Sequence, residues 1–145
     1  MIWFRYGAVF LAVAIGVSQI IALFQLPQDQ TIGGAAQLMV PAMIAALVEG
    51  QRFAKLNRVH PGSGKAWNFA LAAAGIAFAL NLMLAYAGPR VAPEFAKLAI
   101  AVPGSKQFMT LLVFYAVGYL LCNRFFYGLG VSNQLTLMQK HDDTN

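Results

Sequence analysis

The sequence predicts an all-α integral membrane protein, a four-helix bundle whose helices run up and down across a bilayer. The chain is 59% hydrophobic and only 10% charged, and its apolar residues fall into four long runs. An ordinary soluble domain is about 45–50% apolar and about 25% charged. Because a membrane-spanning helix needs about 20 apolar residues, four spans and their loops occupy the whole chain. We therefore interpret residues 1–145 as a single transmembrane domain.

The four apolar runs define the expected spans, at about 6–26, 32–53, 67–87 and 108–129. The first is too long for the apolar region of a signal peptide and is interpreted as an uncleaved anchor. Pro41 removes a backbone donor from the second and predicts a bend there. The fourth is rich in aromatic residues, which suits an outer helix with anchors at the membrane interface.

The third run contains a stripe of small side chains at helical spacing. These residues are Ala70, Ala73, Ala74 and Ala77. Small side chains let helix backbones approach closely, which is how helices pack inside a membrane. We expect the third helix to be the most enclosed of the four.

A short amphipathic helix is expected between the third and fourth spans, at about 93–102. Proline is favoured in the first turn of a helix, and Pro93 stands at this position. The apolar side chains that share one face are Phe95, Leu98, Ala99 and Val102. A helix of this length cannot span a bilayer, so we expect it to lie on the membrane surface.

The distribution of basic residues predicts the orientation of the bundle. Seven Lys and Arg residues lie at the N-terminal end, the 52–66 loop and the C-terminal end, whereas three lie on the opposite side. Basic loops are retained in the cytoplasm. Both termini are therefore expected to be cytoplasmic.

The composition also argues against several classes of activity. The basic residues behind the net charge of +5 lie mostly at the ends of apolar runs, so we expect no nucleic-acid partner. Neither His60 nor His141 lies within a span, so no histidine pair can bind a haem between helices. With Cys122 as the single cysteine, an internal disulfide is excluded. No catalytic, cofactor-binding or metal-binding residue is predicted.

Four polar residues are expected to form a layer in the outer leaflet: Ser18, Gln19, Gln37 and Asn81. They lie at similar depths, and an amide that faces lipid leaves donors and acceptors unsatisfied. We expect these side chains to bond to one another or to the carbonyl that Pro41 frees. Their expected role is to hold helices together, with a solute site as the alternative.

An ion pair is expected at the cytoplasmic edge, between Glu49 of the second span and Arg124 of the fourth. The two residues lie at nearly equal depth, and an unpaired charge at this depth is costly. Arg52, one turn after Glu49, is the competing partner for the carboxylate.

The segment Gln51-Arg52-Phe53, followed by Arg58, Pro61 and Trp67, resembles a family of small bacterial inner-membrane proteins of unknown function. Members of this family have four spans, a basic loop with a proline between the second and third, and a tryptophan at the start of the third. The resemblance implies a multi-pass protein of the bacterial inner membrane and implies no activity.

Three functional classes are compatible with this sequence. The first is a non-enzymatic accessory protein that docks on a membrane complex, on a second copy of itself, or on a membrane-acting toxin as its immunity partner. The second is a small oligomeric transporter or channel, and the third is a membrane enzyme. Proton relays and ion pathways are usually built from ionisable residues inside the membrane. Because the middle of each span contains none, we favour the first class.

Overall fold

The computed structural model describes residues 1–24, 31–87 and 104–142, which form four helices and contain no strand. The helices are α1 (Ile2–Phe24), α2 (Thr31–Asn57), α3 (Ser63–Ala87) and α4 (Lys106–Asp142). The all-α prediction is confirmed. The short amphipathic helix expected at 93–102 lies outside the described residues.

Three of these helices are long and apolar enough to cross a membrane: α1 at Ile2–Ile20, α3 at Ser63–Tyr86, and α4. Within the described residues α2 does not belong to this group. Its second half carries three charged residues, Glu49, Arg52 and Lys55. The expected second span, at about 32–53, therefore stays a prediction.

Contacts between helix ends show that the helices alternate in direction. Arg5 at the start of α1 bonds to Glu49 near the end of α2, so these helices are antiparallel. Tyr6 packs against Phe69 near the start of α3, so α1 and α3 are parallel. Phe69 in turn stacks on Tyr127 in the second half of α4. The helices α1 and α3 therefore run one way, and α2 and α4 run the other way.

The largest helix interface joins α2 to α4, and α4 also packs on α3. The order around the bundle is thus α1, α2, α4, α3. α4 buries Tyr119, Asn123 and Tyr127 on its inner face, whereas Phe114 and Phe125 are exposed on its outer face. Tyr115, Tyr119 and Tyr127 line the core because they are separated by multiples of four residues, and this spacing puts them on one side of the helix.

The backbones of α2 and α4 approach each other closely where these two helices cross. A Cβ atom on Gly50 would lie 3.0 Å from the carbonyl carbon of Tyr127, and one on Gly130 would lie 3.0 Å from that of Leu47. Three small buried residues of α2 lie at four-residue spacings from Gly50: Ala42, Ala46 and Ala54. The alanine stripe predicted on α3 is also buried, but it is the two glycines that allow backbone contact.

The ends of α4 differ from the expected span. At its start, the Ser105 hydroxyl accepts a hydrogen bond from the Phe108 amide, 3.1 Å away, as an N-cap residue does. At its end, the helix continues to Asp142, well past the expected end at 129. A helix of 37 residues is about 55 Å long, whereas the bilayer core is about 30 Å thick. Part of α4 must therefore extend beyond the apolar layer of any bilayer that it crosses.

Candidate functional site

A buried ion pair joins α1 to α2 at the end of the bundle that carries the N-terminus. Arg5 Nε donates to Glu49 Oε1 at 2.6 Å, and Nη2 donates to Oε2 at 2.5 Å. The Glu49 side chain is 1% exposed, whereas that of Arg5 is 31% exposed. Two parallel hydrogen bonds of this kind fix both distance and orientation. The pair therefore fixes the start of α1 against the end of α2.

This geometry corrects the expected pair between Glu49 and Arg124. Arg5 was assigned to the segment before the first span, but α1 begins at Ile2 and includes it. Since α1 and α2 are antiparallel, Arg5 reaches the depth of Glu49 and takes both carboxylate oxygens. Arg52, the expected competitor, is exposed.

Arg124 instead lies between α4 and α3. Its guanidinium carbon is 5.6 Å from the centre of the Trp67 ring, within the range of a cation–π interaction. Its Nε atom is buried and has no hydrogen-bond partner among the described residues. Nη1 lies 3.5 Å from the position that a Cβ atom on Gly128 would occupy, one turn further along α4. The guanidinium therefore points towards the C-terminal end of α4.

A second set of polar groups links the four helices in the core. Tyr6 donates to Asn123 Oδ1 at 2.6 Å, and Asn123 Nδ2 donates to the Tyr119 carbonyl at 2.8 Å. Asn81 Nδ2 donates to the Tyr119 hydroxyl at 2.8 Å, and that hydroxyl donates to the Leu38 carbonyl at 3.1 Å. Leu38 lies one turn before Pro41, where the helix is expected to bend. The chain of bonds connects each helix to at least one other.

The predicted polar layer is only partly present in this arrangement. Asn81 is buried and bonded across the bundle, whereas Gln19 is exposed. Ser18 donates to the Ala14 carbonyl of its own helix at 2.8 Å. The side chain of Gln37 lies outside the described residues, and Asn81 Oδ1 has no partner among those that are described.

Sequence reasoning missed the tyrosines that bond to the two asparagines. The aromatic residues of the fourth span are expected to be interfacial anchors, but Tyr119, which lies in this span, is fully buried. The available signal was spacing, since Tyr115, Tyr119, Asn123 and Tyr127 repeat at every fourth position. Such a repeat puts hydroxyl and amide groups on one buried face.

Two apolar grooves lie on the surface of α4. One, of about 590 Å³, is lined by Met39 of α2 and by residues of α4 that include Phe114 and Gly118. The other, of about 300 Å³, lies between α3 and α4 and has Gly75 and Val117 among its lining residues. Within the described residues, no cluster of three His, Cys, Asp or Glu side chains could hold a metal ion.

Comparison with protein-family models, curated proteins and solved structures gave no match to this chain. The resemblance to small four-span bacterial membrane proteins therefore stays a prediction.

Proposed function

We propose that this chain is a non-enzymatic membrane protein that acts by binding another membrane protein, as an accessory subunit or as the immunity partner of a membrane-acting toxin. One observation carries the proposal. The buried polar side chains of the described bundle bond mainly to one another and to helix carbonyls. In a transporter we would instead expect such groups to surround an open polar path. Their bonds make the bundle a rigid scaffold with an apolar exterior.

The proposal places the protein in a membrane with four spans. The negative charge of Glu49 is the main argument against α2 as a membrane span. Within the bundle, the positive charge of Arg5 compensates it. Trp3 and Trp67 are both partly exposed at the N-terminal end of the bundle, where tryptophan marks a membrane interface. The bacterial inner membrane is proposed from the resemblance, and cytoplasmic termini are proposed from the charge distribution.

Cysteine labelling tests this orientation. In a Cys122→Ala background, Pro61→Cys should react with a membrane-impermeant maleimide only after the membrane is opened, because its loop is expected to be cytoplasmic. Gln28→Cys, outside the described residues, should react in intact cells because it lies in the expected outer loop. Labelling of Gln28→Cys only from the cytoplasmic side would reverse the proposed orientation.

Photo-crosslinking in native membranes tests the interaction itself. A photoreactive residue would replace Phe114 on the exposed face of α4 or, as a matched position on α1, Ile15. Both lie about nine residues from the helix ends on the side opposite Arg5. We expect one of the two faces to give a discrete protein adduct, and the same protein to stay bound in a one-to-one ratio after mild detergent extraction.

The competing class is a small oligomeric transporter or channel. A homo-oligomer in detergent that passes ions or solutes when reconstituted into liposomes would support that class and would contradict our proposal. Adducts with lipid alone at both positions would contradict it as well.

A further inference from the structure

We propose that the groove between α3 and α4 binds one phospholipid, with its phosphate held by Arg124 and one acyl chain lying along the groove. The inference rests on the proposed membrane location and is independent of the identity of any protein partner.

The groove has the shape and chemistry to accept an acyl chain. It is an open groove of about 300 Å³, and its lining includes Leu71, Ala74, Gly75, Ala116, Val117 and Leu120. Small residues on both walls keep it open, and a Cβ atom on Gly75 would meet no other atom within 4 Å. An acyl chain would cover apolar side chains that neither helix buries.

Arg124 and Trp67 lie at one end of this groove. Arg124 is one turn beyond Leu120 on α4, and Trp67 is one turn before Leu71 on α3. Because α3 and α4 are antiparallel, these two turns lie at the same end. The guanidinium lies over the indole ring there, 5.6 Å from its centre, and links the two walls.

The charge of Arg124 is not neutralised by the described residues. Glu49, the partner expected from the sequence, has both carboxylate oxygens bonded to Arg5. The Nε atom of Arg124 is buried without a hydrogen-bond partner among the described residues. A buried donor without a partner is costly, and a phosphate supplies the acceptors that a guanidinium binds best.

The depth of this cation favours a lipid phosphate over other anions. Trp3 and Trp67 are both partly exposed at this end of the bundle. Tryptophan side chains concentrate at the level of lipid headgroups. A cation at this level, next to an apolar groove that runs into the bilayer, matches the layout of a phospholipid with its phosphate above its acyl chains.

Native mass spectrometry of the full chain in detergent tests the proposal, with phosphatidylglycerol as the probe and diacylglycerol of the same acyl chains as the comparison. The delipidated wild-type chain should retain one phosphatidylglycerol and little diacylglycerol. Arg124→Gln should bind phosphatidylglycerol about tenfold more weakly or worse, because it removes a charge-assisted contact. Gly75→Leu should weaken binding similarly by filling the groove.

Two matched variants separate this site from general effects. Gly16→Leu adds the same bulk on α1, where a Cβ atom also meets nothing within 4 Å. Lys65→Gln removes an exposed positive charge near the start of α3. Both should bind like the wild type, and all four variants should keep its helical circular dichroism spectrum.

Several results would overturn the proposal. They are equal retention of diacylglycerol, wild-type binding by Arg124→Gln or Gly75→Leu, an equal loss in Lys65→Gln, or no retention by the wild-type chain. An acidic side chain of a protein partner crosslinked at Arg124 would also overturn it. Recovery of the chain from alkali-washed membranes tests the membrane location separately, so a failure there is distinguishable from a failure of the lipid site.

Discussion

Gly50→Ala is expected to destabilise the bundle by about 3 kcal/mol or more, at the upper end of what overpacking a core costs. The added Cβ atom would lie 3.0 Å from the carbonyl carbon of Tyr127 and 3.1 Å from the amide nitrogen of Val131. Both are backbone atoms, so no side-chain rotation can relieve the contact. The helices α2 and α4, which share the largest interface, must then move apart. Unfolding in mixed micelles with rising dodecyl sulfate measures the loss.

Gly16→Ala and Gly75→Ala are the matched controls, because a Cβ atom at either position meets nothing within 4 Å. Both should unfold at the wild-type dodecyl sulfate fraction. Gly130→Ala should resemble Gly50→Ala, and the double variant should cost less than the sum, since one separation of the helices relieves both contacts. If Gly50→Ala were as stable as Gly16→Ala, the close crossing of α2 and α4 would be wrong.

The helical class followed from the composition and the four long apolar runs, because a chain that crosses a membrane has few ways to satisfy its backbone hydrogen bonds. The neighbours of each helix did not follow. Close packing was expected at the alanine stripe of α3. The close crossing of α2 and α4 instead depends on Gly50 and Gly130, which lie 80 positions apart in the chain. No local feature of the sequence indicates that α2 should pack mainly on α4 and not on α3.

For the candidate site, the sequence predicted which residues are buried better than it predicted which residues they bond to. Glu49 and Asn81 were expected to be buried and bonded, and both are. Their partners were wrong or missing, because depth along a span says nothing about rotation around the bundle. Arg5 was excluded because the first span was expected to start at about residue 6, four residues after the start of α1 at Ile2. Tyr119 was missed because the aromatic residues of the fourth span were expected to be interfacial anchors.

The second large effect is expected at the ion pair between Arg5 and Glu49. Arg5→Met should cost about 3–5 kcal/mol, because it leaves a buried carboxylate without its counter-charge. Glu49→Leu should cost less, since the Arg5 side chain is 31% exposed and can reach water or headgroups. The double variant should recover much of the loss, because a buried pair replaced by apolar residues is often neutral.

Arg124→Met is the control that separates this pair from the one expected from sequence. In delipidated protein it should change the free energy of unfolding by less than about 1 kcal/mol, because Arg124 loses only a partly exposed cation–π contact with Trp67. The dodecyl sulfate titration ranks the stabilities of the four variants, which are Arg5→Met, Glu49→Leu, their double variant and Arg124→Met. If Arg124→Met were as damaging as Arg5→Met and only its combination with Glu49→Leu recovered stability, Glu49 would pair with Arg124. The start of α1 would then be free of α2, and the N-terminal end of the bundle would be held by α4 instead.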